Sequence, residues 1–464
     1  MSNGSVPQHI LIIGAGVFGL STALSLLSHP TYNATRITVI DGSPSLPNPS
    51  GSSVDASRIV RADYANKHYA QLASQAQELW RDRRKEAWGG EGRYHEPGFV
   101  LTADADKDAY LRESLANVRD LAREDGCNVD LSKIRELRGA EEIRKATGYE
   151  SVSGDHGYAN FNSGWADAEA CVAYALRRIQ SESDGRVTIR PGAQVARLVF
   201  SGSDCQGVEL AGGEQIQADL TVLAAGAWSP SLIDLQGRCL ATGQTMAYLD
   251  ITPEEQAAMG NRPTIMNMSR GMFVIPPRGN ELKIARHGYG YRNPVRISRA
   301  VIDPGVSNGI GPGDVEVSVP KVGIPIPLEA EEALREALGE VLPQMVDRPF
   351  TRTRICWYCD TPSGDFLITF HPQFNNLFLA TGGSGHGFKF FPVIGDKIVA
   401  AIQGTLEPAL AQIWSWRSQE DLCGMIKSGG DGGDGGEEFT ACEDGSRAGR
   451  KGMLLDEEMR RRTS

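Results

Sequence analysis

The stretch His9-Ile10-Leu11-Ile12-Ile13-Gly14-Ala15-Gly16-Val17-Phe18-Gly19-Leu20 passes from a short apolar run into a glycine-rich turn, then into a second apolar run ending at Leu27. Five apolar residues bounded by glycine have the length of a buried strand, and Leu20 to Leu27 that of a helix. Ile37 to Ile40 supplies a second strand ending at Asp41. This is a βαβ unit with G-x-G-x-x-G between strand and helix. Gly14 allows the tight turn, Gly16 lets a pyrophosphate approach the helix N-terminus, and Gly19 brings helix and sheet together. Asp41 stands where a carboxylate accepts hydrogen bonds from a ribose 2′-hydroxyl, which disfavours a 2′-phosphate and hence NADP. The loop alone does not separate FAD from NAD. A membrane anchor is a poor reading of Ile10 to Leu27, because glycines and hydroxyls interrupt it and no basic segment precedes it.

Outward from this unit, residues 41–57 are a Ser/Pro/Gly-rich loop, and the periodicity of Lys67 to Trp88 predicts a helix. Gly98 to Leu101 reads as a strand, Asp106 to Arg123 as a helix, Val187 to Leu223 as three strands, and Thr264 to Ala285 as two. Phe366 to Thr369 and Leu377 to Ala380 follow, and Gly382-Gly383-Ser384-Gly385 is expected to open a helix running through Ile394 to Ile402. The tail, 426–464, is Gly/Asp-rich and charged, and is expected to be disordered.

The chain has 464 residues, 41% hydrophobic and 23% charged, with a net charge of −11. That length exceeds one hydrophobic core, so two domains are expected. The acidic balance argues against nucleic acid or an anionic membrane as a partner. Eight cysteines without a regular framework read as reduced thiols of a cytoplasmic protein.

Two downstream segments, Gly51-Ser52-Ser53-Val54-Asp55-Ala56-Ser57-Arg58-Ile59-Val60-Arg61 and Gly383-Ser384-Gly385-His386-Gly387-Phe388-Lys389, resemble signatures of the monomeric sarcosine oxidase family of FAD-dependent amine oxidases. The fungal branch with the fructosyl amino acid oxidases (amadoriases) is especially similar. The resemblance runs from about residue 8 to about residue 405. It implies an α/β fold: a glutathione-reductase-type, Rossmann-like FAD domain and a second α+β domain with a largely antiparallel sheet. The FAD domain is expected over 1–95, 165–240 and 345–425, and the substrate domain over 96–164 and 241–344. The cofactor would be lined by Gly14, Gly16, Val17, Phe18, Gly19, Asp41, Ser53, Ser57, Arg58, Val195, Gly226 and Trp228 from the first parts. Gly383, Gly385, His386, Gly387, Phe388 and Lys389 would line it from the last. A helix after Gly385 would aim its positive end at the flavin.

The resemblance also implies roles. Cys356 matches a cysteine bonded to the flavin 8α carbon; a plain buried cysteine, or a redox or metal role with Cys359, are the alternatives. On a strand, residues three apart point to opposite faces, which makes a Cys356–Cys359 disulfide awkward, and no second cysteine pair completes a zinc site. Lys283 matches a lysine near flavin N5, where a fixed cation stabilises the charge that develops on oxygen; a surface lysine is the bland alternative. Arg61 and Lys389 match the pair that grips the substrate carboxylate, and Arg58 a residue close to the flavin. The alternative for both arginines is pairing with Asp55 or Asp63. His287 falls where the family has a histidine near the substrate, or else is structural.

One departure concerns the substrate. Amadoriases usually carry an acidic residue before the proline in the strand leading to this lysine, and it contacts the sugar. Here the position reads Ile275, in Phe273-Val274-Ile275-Pro276, and an apolar side chain leaves sugar hydroxyls unpaired. The expectation is therefore a monomeric FAD-dependent oxidase of an N-alkyl, cyclic or aromatic amino acid. Its products would be an imine and hydrogen peroxide. Alternatives are deglycation of a fructosyl amino acid, dehydrogenation with an acceptor other than oxygen, and a non-catalytic flavin-binding protein.

Overall fold

A computed structural model of the chain describes residues 6–104, 107–124, 127–302, 313–427, 442 and 445–463. Two large sheets dominate. The first is built around His9–Ile13, whose neighbours are Arg36–Ile40 on one side and Leu220–Leu223 on the other, all parallel. Val187–Arg190 and Leu377–Thr381 extend it in parallel, and Leu367–Phe370 closes one edge antiparallel, giving six strands. Strands buried on both faces read as continuous apolar runs rather than alternating ones, and that is how Ile10 to Ile13 and Leu377 to Ala380 read.

The helix Val17–Ser28 explains its own sequence. Every residue from Val17 to Leu27 is buried, because it lies between the sheet and the helices Ala168–Glu182 and Ile394–Gln403. It is apolar all round for that reason. No helix among the described residues is long and apolar enough to cross a membrane. A Cβ at Gly19 would stand 1.9 Å from the Gly14 carbonyl oxygen, so the third glycine of the motif is what lets helix and strand touch. On the other sheet face, Leu198, Val208 and Leu210 of a three-stranded meander pack against Leu11, Ile13 and Leu223.

The second sheet has ten strands and is mostly antiparallel. Its centre is Leu240–Asp250, flanked by Glu281–Arg286 and by Arg352–Asp360. One face carries Ala247, Leu249, Val274, Leu282 and Ile284, covered by the helix Leu328–Val341. The other faces the first sheet's cofactor loops.

The structure departs from the sequence expectations at several elements. The helix from Lys67 ends at Arg81, since Asp82 turns back to accept from the Arg84 N–H at 3.0 Å. Three strands, not two, fill Thr264 to Ala285, and five fill Val187 to Leu223. The helix expected over 106–123 is Ala109–Leu121, with Asp106 outside the described residues. No helix starts at Gly385. Left-handed conformations at Gly382, Ser384 and Gly385 end the strand in turns, a 3-10 turn spans Phe388–Phe390, and the α-helix begins only at Ile394.

The expected disordered tail is also corrected over 445–463. Met453–Leu454 pairs in parallel with Tyr291–Arg292, and a helix spans Leu455–Thr463. Met453 and Leu455 bury against the second sheet's core, which supplies the apolar surface that the composition of the tail conceals. The Gly/Asp-rich stretch 428–438 lies outside the described residues.

Candidate active site

Glycine segments far apart in sequence meet at one cavity of about 560 Å3. Ser21, one turn into the first helix, donates to the Phe391 carbonyl at 2.8 Å and accepts from the Gly395 N–H at 2.8 Å. This clamp sets Phe18 against the second loop: a Cβ on Gly387 would be 3.1 Å from its ring, and one on Gly383 3.9 Å. Gly14, Gly16, Val17, Phe18, Asp41, Ser53, Arg58, Val195, Gly226, Trp228, Gly383, Gly385, Gly387 and Phe388 all line the cavity. Gly19 packs behind Gly14 instead. His386, Lys389 and Ser57 stand outside the lining and act on neighbouring groups.

The cavity fits an elongated dinucleotide. A Cβ at Gly226 would meet no protein atom within 4 Å and would project into the open space. Gly16 caps the helix with no side-chain cap of its own and the first turn holds no acidic residue, while Ser53 Oγ accepts from the Val17 N–H at 2.9 Å, so the helix turns its positive end to the cavity. Asp41 Oδ2 accepts from the Ala15 N–H at 3.0 Å, and Oδ1 from the Ser43 N–H at 2.9 Å and Asn48 Nδ2 at 3.0 Å. A carboxylate has about four lone-pair sites, so Oδ2 retains room for a ribose hydroxyl.

Beyond the cavity, the second sheet presents side chains in rows. In antiparallel pairs, residues directly opposite share a face. Register therefore puts Arg352, Tyr248, Lys283 and Ile275 in one row, Arg354, Met246, Ala285 and Phe273 in the next, and Cys356 opposite Gln244. The 51–60 segment lies over these rows, pinned by Arg354, which donates to the Val54 and Gly51 carbonyls.

Two groups of buried cations result. In the first, Lys283, 3% exposed, donates to Asp55 Oδ2 at 2.6 Å and to the Ser57 carbonyl at 2.9 Å. Arg58 pairs with the same Asp55 oxygen, and Tyr248 donates its hydroxyl to the other. Burial lowers the Lys283 pKa to about 8, with Asp55 opposing the fall and Arg58 adding to it. Arg58 Nη2 also lies 3.5 Å from the fully buried Cys356 sulfur. Cys356 and Cys359 belong to packing clusters on opposite faces of their strand.

In the second group, Arg61 and Lys389 are buried with no carboxylate hydrogen-bonded to either among the described residues. Arg61 Nη2 donates to the Tyr110 hydroxyl at 3.3 Å, while Nη1 is buried without a partner. The Tyr64, Phe99 and Tyr110 rings surround its guanidinium at 5.0, 5.3 and 5.9 Å. Asp63, also buried, accepts from Asn160 and Ser163; its charge favours the protonated forms of Arg61 and Lys389 without a hydrogen bond to either. Lys389 Nζ donates to the Tyr64 hydroxyl at 2.8 Å and to the His386 carbonyl at 3.0 Å. His386 Nε2 faces the Gly364 carbonyl at 2.8 Å and so carries the proton; Nδ1 then accepts from Tyr64 at 3.0 Å. Burial, reinforced by Arg61, holds the Lys389 pKa well below the usual lysine value.

His287 stands near the second group, its ring 6.1 Å from that of Tyr358. Burial first, then the nearby positive charge led by Arg447 and Arg61, keeps its imidazole neutral. Arg447 was invisible to sequence reasoning, because its Gly-rich, charged surroundings carry no periodicity. Its Nη2 donates to Asp360 Oδ1 at 2.6 Å and to the Ser384 carbonyl at 3.0 Å, and Nη1 to the Gly288 carbonyl at 3.0 Å. Tyr64, Tyr110 and Tyr248 were also missed: Tyr110 on a helix and Tyr248 on a strand read as core, and Tyr64 lies in the coil between Arg58–Val60 and Lys67–Arg81. Asp55, at i−3 from Arg58, was visible only as a possible salt-bridge partner.

Comparison with known proteins agrees with this geometry. The family described as FAD dependent oxidoreductase (DAO) matches residues 9–401. An amino acid oxidase of Aspergillus flavus is 34% identical over 454 residues, covering 85% of this chain and 93% of that protein. The L-saccharopine oxidase of Schizosaccharomyces pombe is 29% identical, covering 90% and 95%. The crystal structure of fructosamine oxidase from Aspergillus fumigatus (Amadoriase II), a deglycating enzyme, superposes with a TM-score of 0.73 at 29% identity, covering 89% of this chain and 90% of that one. The chain belongs to the DAO family of FAD-dependent oxidoreductases, among amino acid oxidases, monomeric sarcosine oxidases and amadoriases.

Proposed function

We propose that this chain oxidises the C–N bond of a secondary amine in an amino-acid-like substrate, an N-alkyl, cyclic or aromatic amino acid, with oxygen as electron acceptor. The observation that carries the reading is the second cation group. Arg61 and Lys389 are buried, adjacent in charge, and hydrogen-bonded only to neutral groups, with Arg61 Nη1 unsatisfied. Buried charges are normally paired, so this arrangement is a receptor for an anion, and a substrate carboxylate supplies one. The rings around Arg61 form an apolar wall suited to an alkyl or aryl group.

Bound FAD would supply the hydride acceptor for the carbon beside the nitrogen. The residues orient that event. Arg61 and Lys389 fix the carboxylate end, and neutral His287 adds no charge that would repel the amine. Lys283 supplies positive charge where oxygen takes two electrons and two protons to become hydrogen peroxide. Arg58 Nη2 stands 3.5 Å from the sulfur of Cys356, the residue that would carry a thioether link to the flavin 8α carbon. The amine leaves as an imine, for hydrolysis or ring closure.

A second reading, oxidation of glycated amino acids, draws on the likeness to the deglycating fructosamine oxidase. Against it stands Ile275, buried and in register beside Lys283, which offers no hydrogen bond to a sugar. An anaerobic screen decides between them. N-alkyl, cyclic and aromatic amino acids are expected to bleach the oxidised flavin band, with one peroxide per amine oxidised in air. Faster bleaching by a glycated amino acid would select the second reading, bleaching without peroxide in air a dehydrogenase, and no bleaching by any amine would refute all three. Acid-precipitated protein should stay yellow, and Cys356→Ala protein should release its flavin to the supernatant; release from the unmutated protein would refute covalent attachment.

A further inference from the structure

Asp55 holds an unusual post: its side chain is fully buried between the two cations nearest the chemistry, Lys283 and Arg58. The main-chain N–H of Ala56 donates to Oδ1 at 2.7 Å, and the Tyr248 hydroxyl donates to the same oxygen. Each carboxylate oxygen is thereby occupied, and its position is fixed from three directions. Lys283 and Arg58 converge on Oδ2, and Arg354 adds its charge from the neighbouring strand, which holds the Asp55 carboxyl well below the usual carboxylate range despite its burial. One carboxylate facing three cationic side chains leaves the cluster positive.

We propose that Asp55 is the positioning residue of the oxygen reaction, holding Lys283 charged and aimed while leaving the cluster with a net positive charge. This rests on the oxygen role assigned to Lys283 above. The physical reason is a balance of opposed effects. A lysine this deeply buried beside an arginine sheds its proton unless an anion is at hand. A neutral amine would then stand where oxygen gathers negative charge, and the electrostatic stabilisation would be lost. The electrons come from the reduced cofactor; Lys283 lends charge, and Asp55 acts only through it.

The charged and titratable groups facing Lys283 are few. The 51–60 segment contributes Asp55 and Arg58, the strand Leu240–Asp250 contributes Tyr248, and Arg352–Asp360 contributes Arg352, Arg354 and Cys356. Glu281 lies on the lysine's own strand and pairs with Arg352 at 2.8 Å, and the Glu281–Arg286 strand's other neighbour offers apolar Ile275. Asp55 is the one carboxylate among them in contact with Nζ.

Two readouts on the holoenzyme test this. Anaerobically reduced enzyme is mixed with oxygen across pH 6–10, and the oxidised flavin's absorption is titrated over the same range without turnover. In the native enzyme both should change as Lys283 loses its proton near pH 8, the reoxidation rate falling as pH rises. In Asp55→Asn the same limb should move down by about 1–3 pH units, as expected when a buried lysine loses its ion-pair partner. Asp55→Glu, which keeps the charge but displaces it, should move the limb in the same direction by less, and serves if Asp55→Asn fails to fold. Lys283→Met should abolish the limb and slow reoxidation, and Asp55→Asn should slow Lys283→Met no further. A limb unmoved in the Asp55 variants, or uniform slowing with an unchanged pH profile, overturns the proposal while leaving the role of Lys283 intact. A Lys283→Met enzyme that reoxidises at the native rate removes that role, and the proposal with it.

Discussion

The two cation groups on the site wall are built from similar parts and held in opposite ways. Lys283 and Arg58 share a buried carboxylate. Arg61 and Lys389, both buried, lean on tyrosine hydroxyls, aromatic faces and a main-chain carbonyl. A paired charge is a fixture of the folded protein, whereas an unpaired one costs desolvation until a ligand arrives. The first group is arranged to act on charge that develops during reaction, the second to wait for charge that comes with the substrate.

The sharpest way to break this contrast is Arg61→Ala. Removing one partner of a buried charge pair is worth about 3–5 kcal/mol, so kcat/KM for carboxylate-bearing amines should fall roughly a hundred- to several-thousandfold. The fall should be much smaller for the matching amine without a carboxylate; equal losses for both would mean that Arg61 does not bind the carboxylate. Lys389→Met comes next. Losing a charge-assisted hydrogen bond worth about 1.5–3 kcal/mol should raise KM about ten- to hundredfold. The ligand-free protein should melt no lower than the native one, because the cost of burying a lysine whose pKa is held well below its usual value has been removed. A clear drop in Tm would show that Lys389 is structural.

A third expectation concerns protons. The folded-state pKa of Lys389 lies below its unfolded value of 10.5. Between those two values the unfolded chain binds the extra proton, so the stability of the ligand-free enzyme rises with pH across that window. It is lost again as pH falls through the folded value. A bound carboxylate reverses the balance, and binding at a pH between those two values should take up as much as about one proton. Titration calorimetry in buffers of different ionisation enthalpy measures this; zero uptake would mean Lys389 is already charged. The smallest effect is ionic. Chloride should compete with substrate at the open group and raise KM a few-fold over about 0.02–0.5 M, with kcat and the paired group's pH profile unchanged.

Legibility in the sequence followed the kind of physics involved. The Gly14–Gly19 unit was readable because backbone geometry demands glycine at fixed spacing, and Arg61, Lys283, Lys389 and Cys356 because their neighbours match a family signature. Register was not readable. Nothing local says that Tyr248, Lys283 and Ile275 stand side by side across three strands, since that follows from pairings between segments far apart. Asp55 gave a weak sign, and Arg447 none. The missing helix after Gly385 shows the limit from the other side. Its glycines resemble those that open a helix elsewhere, but here Gly385 is needed because a Cβ would stand 2.3 Å from the Tyr358 ring.

The Ser21 clamp joins segments 370 residues apart in the chain, so the cofactor's cradle has no local existence. It appears only once distant parts have come together, and a molecule filling it acts as a rivet between them. Any ligand that binds only the folded form stabilises it by mass action. Chains lacking the rivet would therefore open more readily than those that hold it.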